Sequence, residues 1–270
     1  MSEAADPRPT GEVRIEPAGR PGSWLVTLDG APQSEVDLDD PTRLAFDYVR
    51  RMGDVLDARA PLGAALRVLH VGGGGLTLPR YVAATRPRSR QVVLEPHRAL
   101  VARVRAELPL PSRSGISVRE VDGRAGTAAV RDGWADVLVV DAFDDARVPG
   151  SLVTQEWYAE TARVLAPGGW LLANLVDRAP WEHTRRTLAA ARSALPHLLL
   201  AAEPSTLKGR RAGNLLLVAA RWEVPVDALR AAATRSPLPY RVLDGREVSD
   251  AVGGGRPFTD ADTRPGPRDA

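Results

Sequence analysis

The chain has no cysteine, which excludes disulfides, thiolate metal sites and a cysteine nucleophile together. Its one lysine, Lys208, lies far from any glycine-rich turn, and no GxxxxGK followed by Ser or Thr occurs. A phosphate-cradling P-loop is therefore excluded on its defining residues. No apolar run approaches the roughly 18 to 20 residues that cross a bilayer. The amino terminus MSEAADPRPTGE is acidic and polar where a signal peptide is basic and then apolar. The expectation is a cytoplasmic protein with no membrane partner. The histidines show no i,i+4 pair or other ligand spacing, and there is no G-x-S-x-G elbow. Neither a metal site nor a hydrolase nucleophile is expected. Trp134, Trp157, Trp170 and Trp222 read as packing residues.

Charge of one sign is also lacking. The formal net charge is +2, and the basic residues, nearly all arginine, are scattered rather than gathered into a stripe, so no nucleic-acid partner is expected. What is abundant is apolar surface: 44% of 270 residues are hydrophobic, enough for one substantial core with a small appended domain.

The pattern divides the chain. Residues 1–11 read as a flexible start. Residues 12–60 read as a small β element, with Val13, Ile15, Trp24, Val26 and Leu28 alternating. A helix follows, started by Asp39-Asp40-Pro41 and carrying Leu44, Tyr48, Val49, Met52 and Leu56 on one face. Residues 61–223 alternate short apolar runs (RVLHV, QVVLE, ISVREV, ADVLVVD, WLLANLV, LLLAAE, NLLLVAA) with helical segments at 77–85, 97–108, 154–165 and 181–195. This is the sequence form of a doubly wound α/β sheet ending in an antiparallel hairpin around KGRRAG. Residues 224–270 read as a partly disordered extension.

The run Val68–Val71 leads into Gly72, Gly73, Gly74 and Gly75 and then a helix, so the glycines form the tight turn at the end of the first parallel strand. Glu95 ends the second strand, where a carboxylate can accept hydrogen bonds from both ribose hydroxyls of a nucleoside. Asp122-Gly123 follows the third strand, and Asp122 admits two readings, a turn residue or an acceptor for the adenine amine. A dinucleotide's spaced third glycine is missing. Asp141 ends the fourth strand, with Asp144 in the loop after it. Two carboxylates there suit a cationic amine that must lose a proton before attacking, although a strand-end cap and a solvated turn would look alike.

Together VLHVGGGGLTLPRYV, VVLEP, Asp122-Gly123, VLVVDAFDD and TQEWYAETARVLAPGGWLLANL resemble the spermidine synthases, the polyamine aminopropyltransferases, and most closely the spermidine synthase-like proteins of uncertain activity. The segment LDGAPQSEVDLDDP resembles that family's small β domain, and the resemblance runs from about Trp24 to Ala220. It implies a class I methyltransferase-like fold, with decarboxylated S-adenosylmethionine as a co-substrate rather than a resident cofactor. It implies a small-molecule amine such as putrescine as acceptor, and a homodimer. By position it gives Glu95 to the ribose, Asp122 to the adenine, Asp141 and Asp144 to the amine, Gln33 to the wall of the site and Tyr158 to the polyamine channel. Two departures stand out. The family's GGGDGG aspartate is Gly75 here, and its Tyr-His-Glu segment is absent, with Tyr48 as a stand-in. A methyltransferase using intact S-adenosylmethionine and a noncatalytic nucleoside-binding paralogue are the alternatives.

Overall fold

The structure, a computed structural model, describes residues 11–143 and 147–263. The alternating amino-terminal residues form β1 (Val13–Pro17), β2 (Ser23–Leu28) and β3 (Ala31–Asp37), an antiparallel sheet in that order. Asp29 and Gly30 turn β2 into β3 with φ of 50° and 77°, the left-handed pair that matches strand twist in a tight hairpin. Val13, Val26 and Val36 bury against Leu76, Val93, Leu100 and Val104, so this small sheet sits on the glycine-rich turn and its neighbours.

The first helix, α1 (Asp47–Arg59), begins later than Asp39-Asp40-Pro41 predicts. The Asp37 carboxylate accepts the amides of Asp39 and Asp40, and Asp40 accepts that of Thr42. These local bonds satisfy the donors in a turn, which competes with helix initiation. Val49, Met52, Val55 and Leu56 form the buried face.

The main sheet contains β4 (Arg67–Val71), β5 (Arg90–Leu94), β6 (Ile116–Arg119), β7 (Ala135–Val140), β8 (Leu165–Asp177), β9 (His197–Ala202), β10 (Gly213–Ala220) and β11 (Arg241–Leu243). Their order is β11-β9-β10-β8-β7-β4-β5-β6, with β6, β5, β4, β7 and β8 parallel and β10 antiparallel to both neighbours. The crossovers include α2 (Thr77–Thr85), α3 (Arg98–Glu107), α4 (Gly123–Ala128), α5 (Gln155–Val164) and α6 (Glu182–Arg192). Both faces are covered, which is why the strands are continuously apolar. Leu215 and Leu217 join one core with Trp157 and Leu188, while Leu216 and Val218 join the other with Met52 and Val82. The chain winds from β4 towards β6 and then returns to β7 beside β4. A ligand crevice belongs outside the carboxyl ends of strands at such a reversal.

Three local expectations change. Pro167-Gly168-Gly169, which by sequence ends the crossover before WLLANLV, lies inside β8 as a bulge, since Ala135 pairs with Leu165 but Val137 with Trp170. Trp222 is exposed rather than packed. The segment read as a loose extension forms, within its described part, α8 (Val226–Arg235), β11, α9 (Gly245–Val252) and a 3-10 turn at Asp260–Thr263, following the short α7 (Pro204–Leu207) of the hairpin connection. Its few apolar residues suffice because β11 adds to an existing sheet edge and Asp244 with Glu247 forms a capping box on α9. No helix among the described residues is long and apolar enough to cross a membrane.

Candidate active site

Four adjacent strands, β6, β5, β4 and β7, bring Asp122, Glu95, Gly72–Gly75 and Asp141 to one edge of the sheet. Gly72 has a φ of 90°, and a Cβ there would stand 2.2 Å from the backbone oxygen of Asp141. Glycine is thus required by the neighbouring strand as well as by the turn. The Asp141 amide donates to Val71 at 2.9 Å, which fixes the two strand ends together.

Glu95 accepts the Gly73 amide at 2.9 Å on one oxygen and the His97 amide at 2.9 Å on the other. Its carboxylate therefore stands rigidly beside the turn. Each oxygen keeps a further lone pair for a hydroxyl donor. Asp122 caps α4, with one oxygen accepting the Arg124 and Ala125 amides at 2.9 and 3.0 Å. Its second oxygen makes no hydrogen bond among the described residues. Gly123 lets α4 approach β4, because a Cβ there would lie 2.4 Å from Val71 Cγ1.

Asp141 is the electrostatic centre of the edge. Burial pushes its carboxyl up to about 6, opposed by the Asn174 amide and by the Tyr48 phenol nearby. Asn174 Nδ2 donates to Asp141 Oδ1 at 3.1 Å, and Asn174 Oδ1 accepts from Asn214 Nδ2 at 3.0 Å. The second bond orients the first, since an amide held by a donor at its oxygen must turn its NH2 towards the carboxylate. Burial and the nearby Asp141 charge both push the Tyr48 hydroxyl up, so it stays neutral.

The remaining predicted residues fall at different depths. Gln33 lies beside Gly74, but its side chain donates to Ala31 at 3.3 Å, and the contacts with the turn come from its successors. The Ser34 hydroxyl accepts the Gly75 amide, and the Glu35 carbonyl accepts the Thr77 hydroxyl. Tyr158 is a fully buried residue of α5 in the core that includes Val140 and Trp157. Asp144 lies outside the described residues. Among those described, no three His, Asp or Glu side chains gather as a metal-holding group.

Sequence reasoning missed Asn174 and Asn214 and gave Tyr48 only a substitute's place. The signal was present as a lone Asn in each of WLLANLV and GNLLLVAA, where an amide within a buried strand requires a polar partner.

No family model matches the chain. A polyamine aminopropyltransferase of Chromobacterium violaceum is 30% identical over 144 residues, which cover 53% of this chain and 53% of the relative. The chain thus spans about half the length of that curated relative. Among solved structures, a probable spermidine synthase from Corynebacterium glutamicum has a TM-score of 0.85 at 27% identity, covering 93% of this chain and 94% of the other. Human methyltransferase-like protein 13, solved with SAH, has a TM-score of 0.58 at 20% identity over 72% of this chain and 94% of the other. The last shares the fold.

Proposed function

We propose that this chain, which resembles the spermidine synthase family in sequence and in fold, transfers an aminopropyl group from decarboxylated S-adenosylmethionine to a small amine. The observation that carries the reading is Asp141, a carboxylate set between Asn174 and Tyr48 beside the glycine turn, with its titration moved up to about 6. A base poised near the working pH takes a proton most effectively, because it is ionised yet still basic.

In this reading Glu95 holds the ribose hydroxyls, and the Asp122-Gly123 corner receives the adenine. Asp141 accepts a proton from the acceptor ammonium. The freed nitrogen lone pair attacks the methylene carbon next to the sulfonium, the C–S bond breaks, and its electrons stay on sulfur to give methylthioadenosine. Asp144 would hold the same ammonium, Gln33 would border the donor, and Tyr158 would support the acceptor channel from below. Asn174 and Tyr48 keep Asp141 oriented and prevent burial from raising its titration further.

Methyl transfer from intact S-adenosylmethionine is the second reading, favoured by the absence of a carboxylate at Gly75 to hold a free aminopropyl amine. Calorimetry with the two donors, together with assay of methylthioadenosine release across a diamine panel, tests the proposal. Tighter binding of the decarboxylated donor with methylthioadenosine release is the expected result. Preference for the carboxylated donor, or no release with any diamine, would overturn it.

A further inference from the structure

The C-terminal segment returns across the molecule to the ligand edge. Phe258 O accepts the Gln155 amide at 2.8 Å, and the Arg186 guanidinium lies 3.9 Å over the Phe258 ring and 2.9 Å from Asp262. These contacts dock the segment on α5 and α6. They also deliver Asp260 to Arg124.

Arg124 is where the two halves of the crevice are tied. It follows Gly123 at the start of α4, directly beyond the β6 end. Its guanidinium donates to the Asp260 carboxylate through two nitrogens, at 2.8 and 2.6 Å, and also to Ser151 O at 2.8 Å and Thr154 Oγ1 at 3.1 Å. Ser151 lies in the 3-10 turn Gly150–Leu152, and Thr154 caps α5. Thr154 is fully buried; its hydroxyl donates to Asp260 at 2.8 Å while accepting the Trp157 amide as the cap of α5. The Asp260 amide in turn donates to Glu156 at 3.0 Å. One carboxylate from the C-terminal segment therefore ties the α4 start, through Arg124, to the turn at Gly150–Leu152 and to the α5 cap.

We infer that Asp260 and Arg124 are positioning residues, and that the segment through Asp260–Thr263 is a strap whose docking is coupled to nucleoside binding at the β4–β6 edge. The inference rests on the nucleoside reading of that edge. The Arg124 and Asp260 side chains are 31% and 41% exposed, and pairs at that exposure add little to global stability. Bidentate pairing at such a junction instead confers geometric definition. Removing it should loosen the placement of α4 against the turn at Gly150–Leu152.

The test is calorimetric titration of the full chain with methylthioadenosine, in parallel for the wild type, Asp260→Asn, Asp260→Glu and Arg124→Lys, each also followed through thermal unfolding. Asp260→Asn and Arg124→Lys should bind about tenfold more weakly, a size typical of changes within a coupled network. Both should stay folded at the titration temperature, and Asp260→Glu should recover part of the affinity. In the wild type, methylthioadenosine should slow amide hydrogen exchange at residues 258–262, and Asp260→Asn should lose that protection. Wild-type binding with unchanged affinity in Asp260→Asn and Arg124→Lys would overturn the strap alone. A wild type that binds neither methylthioadenosine nor S-adenosylmethionine would overturn the nucleoside reading and the strap with it.

Discussion

The amide of Gly75 donates to the hydroxyl of Ser34 at 2.8 Å, across 41 residues of sequence. A Cβ at Gly75 would lie 2.7 Å from Val36 Cγ2, 3.0 Å from Ser34 Cβ and 3.1 Å from Val26 Cγ2. The place that the resemblance gives to the GGGDGG aspartate is closed here by the small sheet. Its φ is not in the left-handed region, so packing alone excludes a side chain.

Gly75→Asp therefore should not install a donor-binding carboxylate. Overpacking against Val36 and Val26 should destabilise the fold by about 1–3 kcal/mol, and affinity for decarboxylated S-adenosylmethionine should fall. Urea unfolding and donor titration check this; a stable variant with tighter donor binding would refute it.

Asp141→Asn should abolish turnover while raising stability at neutral pH. The wild-type carboxyl is pushed up to about 6, above its ordinary value of about 4, so between those two values the native state holds a proton that the unfolded chain has released. The stability from this group is full below about 4 and is lost as pH rises through about 6. The variant should gain on the order of 2 kcal/mol at pH 8 relative to the wild type and nothing near pH 4. Denaturant unfolding at the two pH values reads the difference.

Asn174→Ala removes a donor from Asp141 Oδ1 and leaves the Asn214 amide unpaired. Loss of these buried partners should cost about 1–3 kcal/mol. The rising limb of activity against pH should move above about 6, because burial then acts on Asp141 with one fewer opposing hydrogen bond. Asn214→Ala should move it the same way by less. An unmoved limb in both variants would show that the amides do not act on Asp141.

His70 pulls stability in the opposite direction over the same pH range. It is buried, its titration pushed down to about 4, and Gln91 Oε1 lies 2.9 Å from its Nε2. Gln91 Nε2 donates to Pro79 O, so its carbonyl faces the ring, and Nε2 of a neutral His70 carries the proton. Neutral burial stabilises the fold above the ordinary histidine value of about 6.5, and that contribution is lost as pH falls towards about 4. In Asp141→Asn, where the opposing titration is gone, stability between pH 6.5 and 4 should fall more steeply than in the wild type. Unfolding curves across that range provide the measurement.

The sequence by itself determined the seven apolar runs of the main sheet through the hairpin, the glycine turn and the placing of Glu95 and Asp141 at strand ends. Each of these is written locally, in side-chain periodicity and in the few residues a tight turn tolerates. It misplaced the start of α1, because turn-forming and helix-capping aspartates use the same side-chain chemistry. Only tertiary structure brought Asn174 from β8 and Tyr48 from α1 to the same carboxylate, since β7 and β8 must first pair in register and α1 must dock. It alone closed Gly75 with β3 and returned Asp260 to Arg124 across 136 residues. A polar group buried in an apolar strand announces that it needs a partner. Which partner it meets is set by register and packing between distant segments, and those are properties of the folded chain.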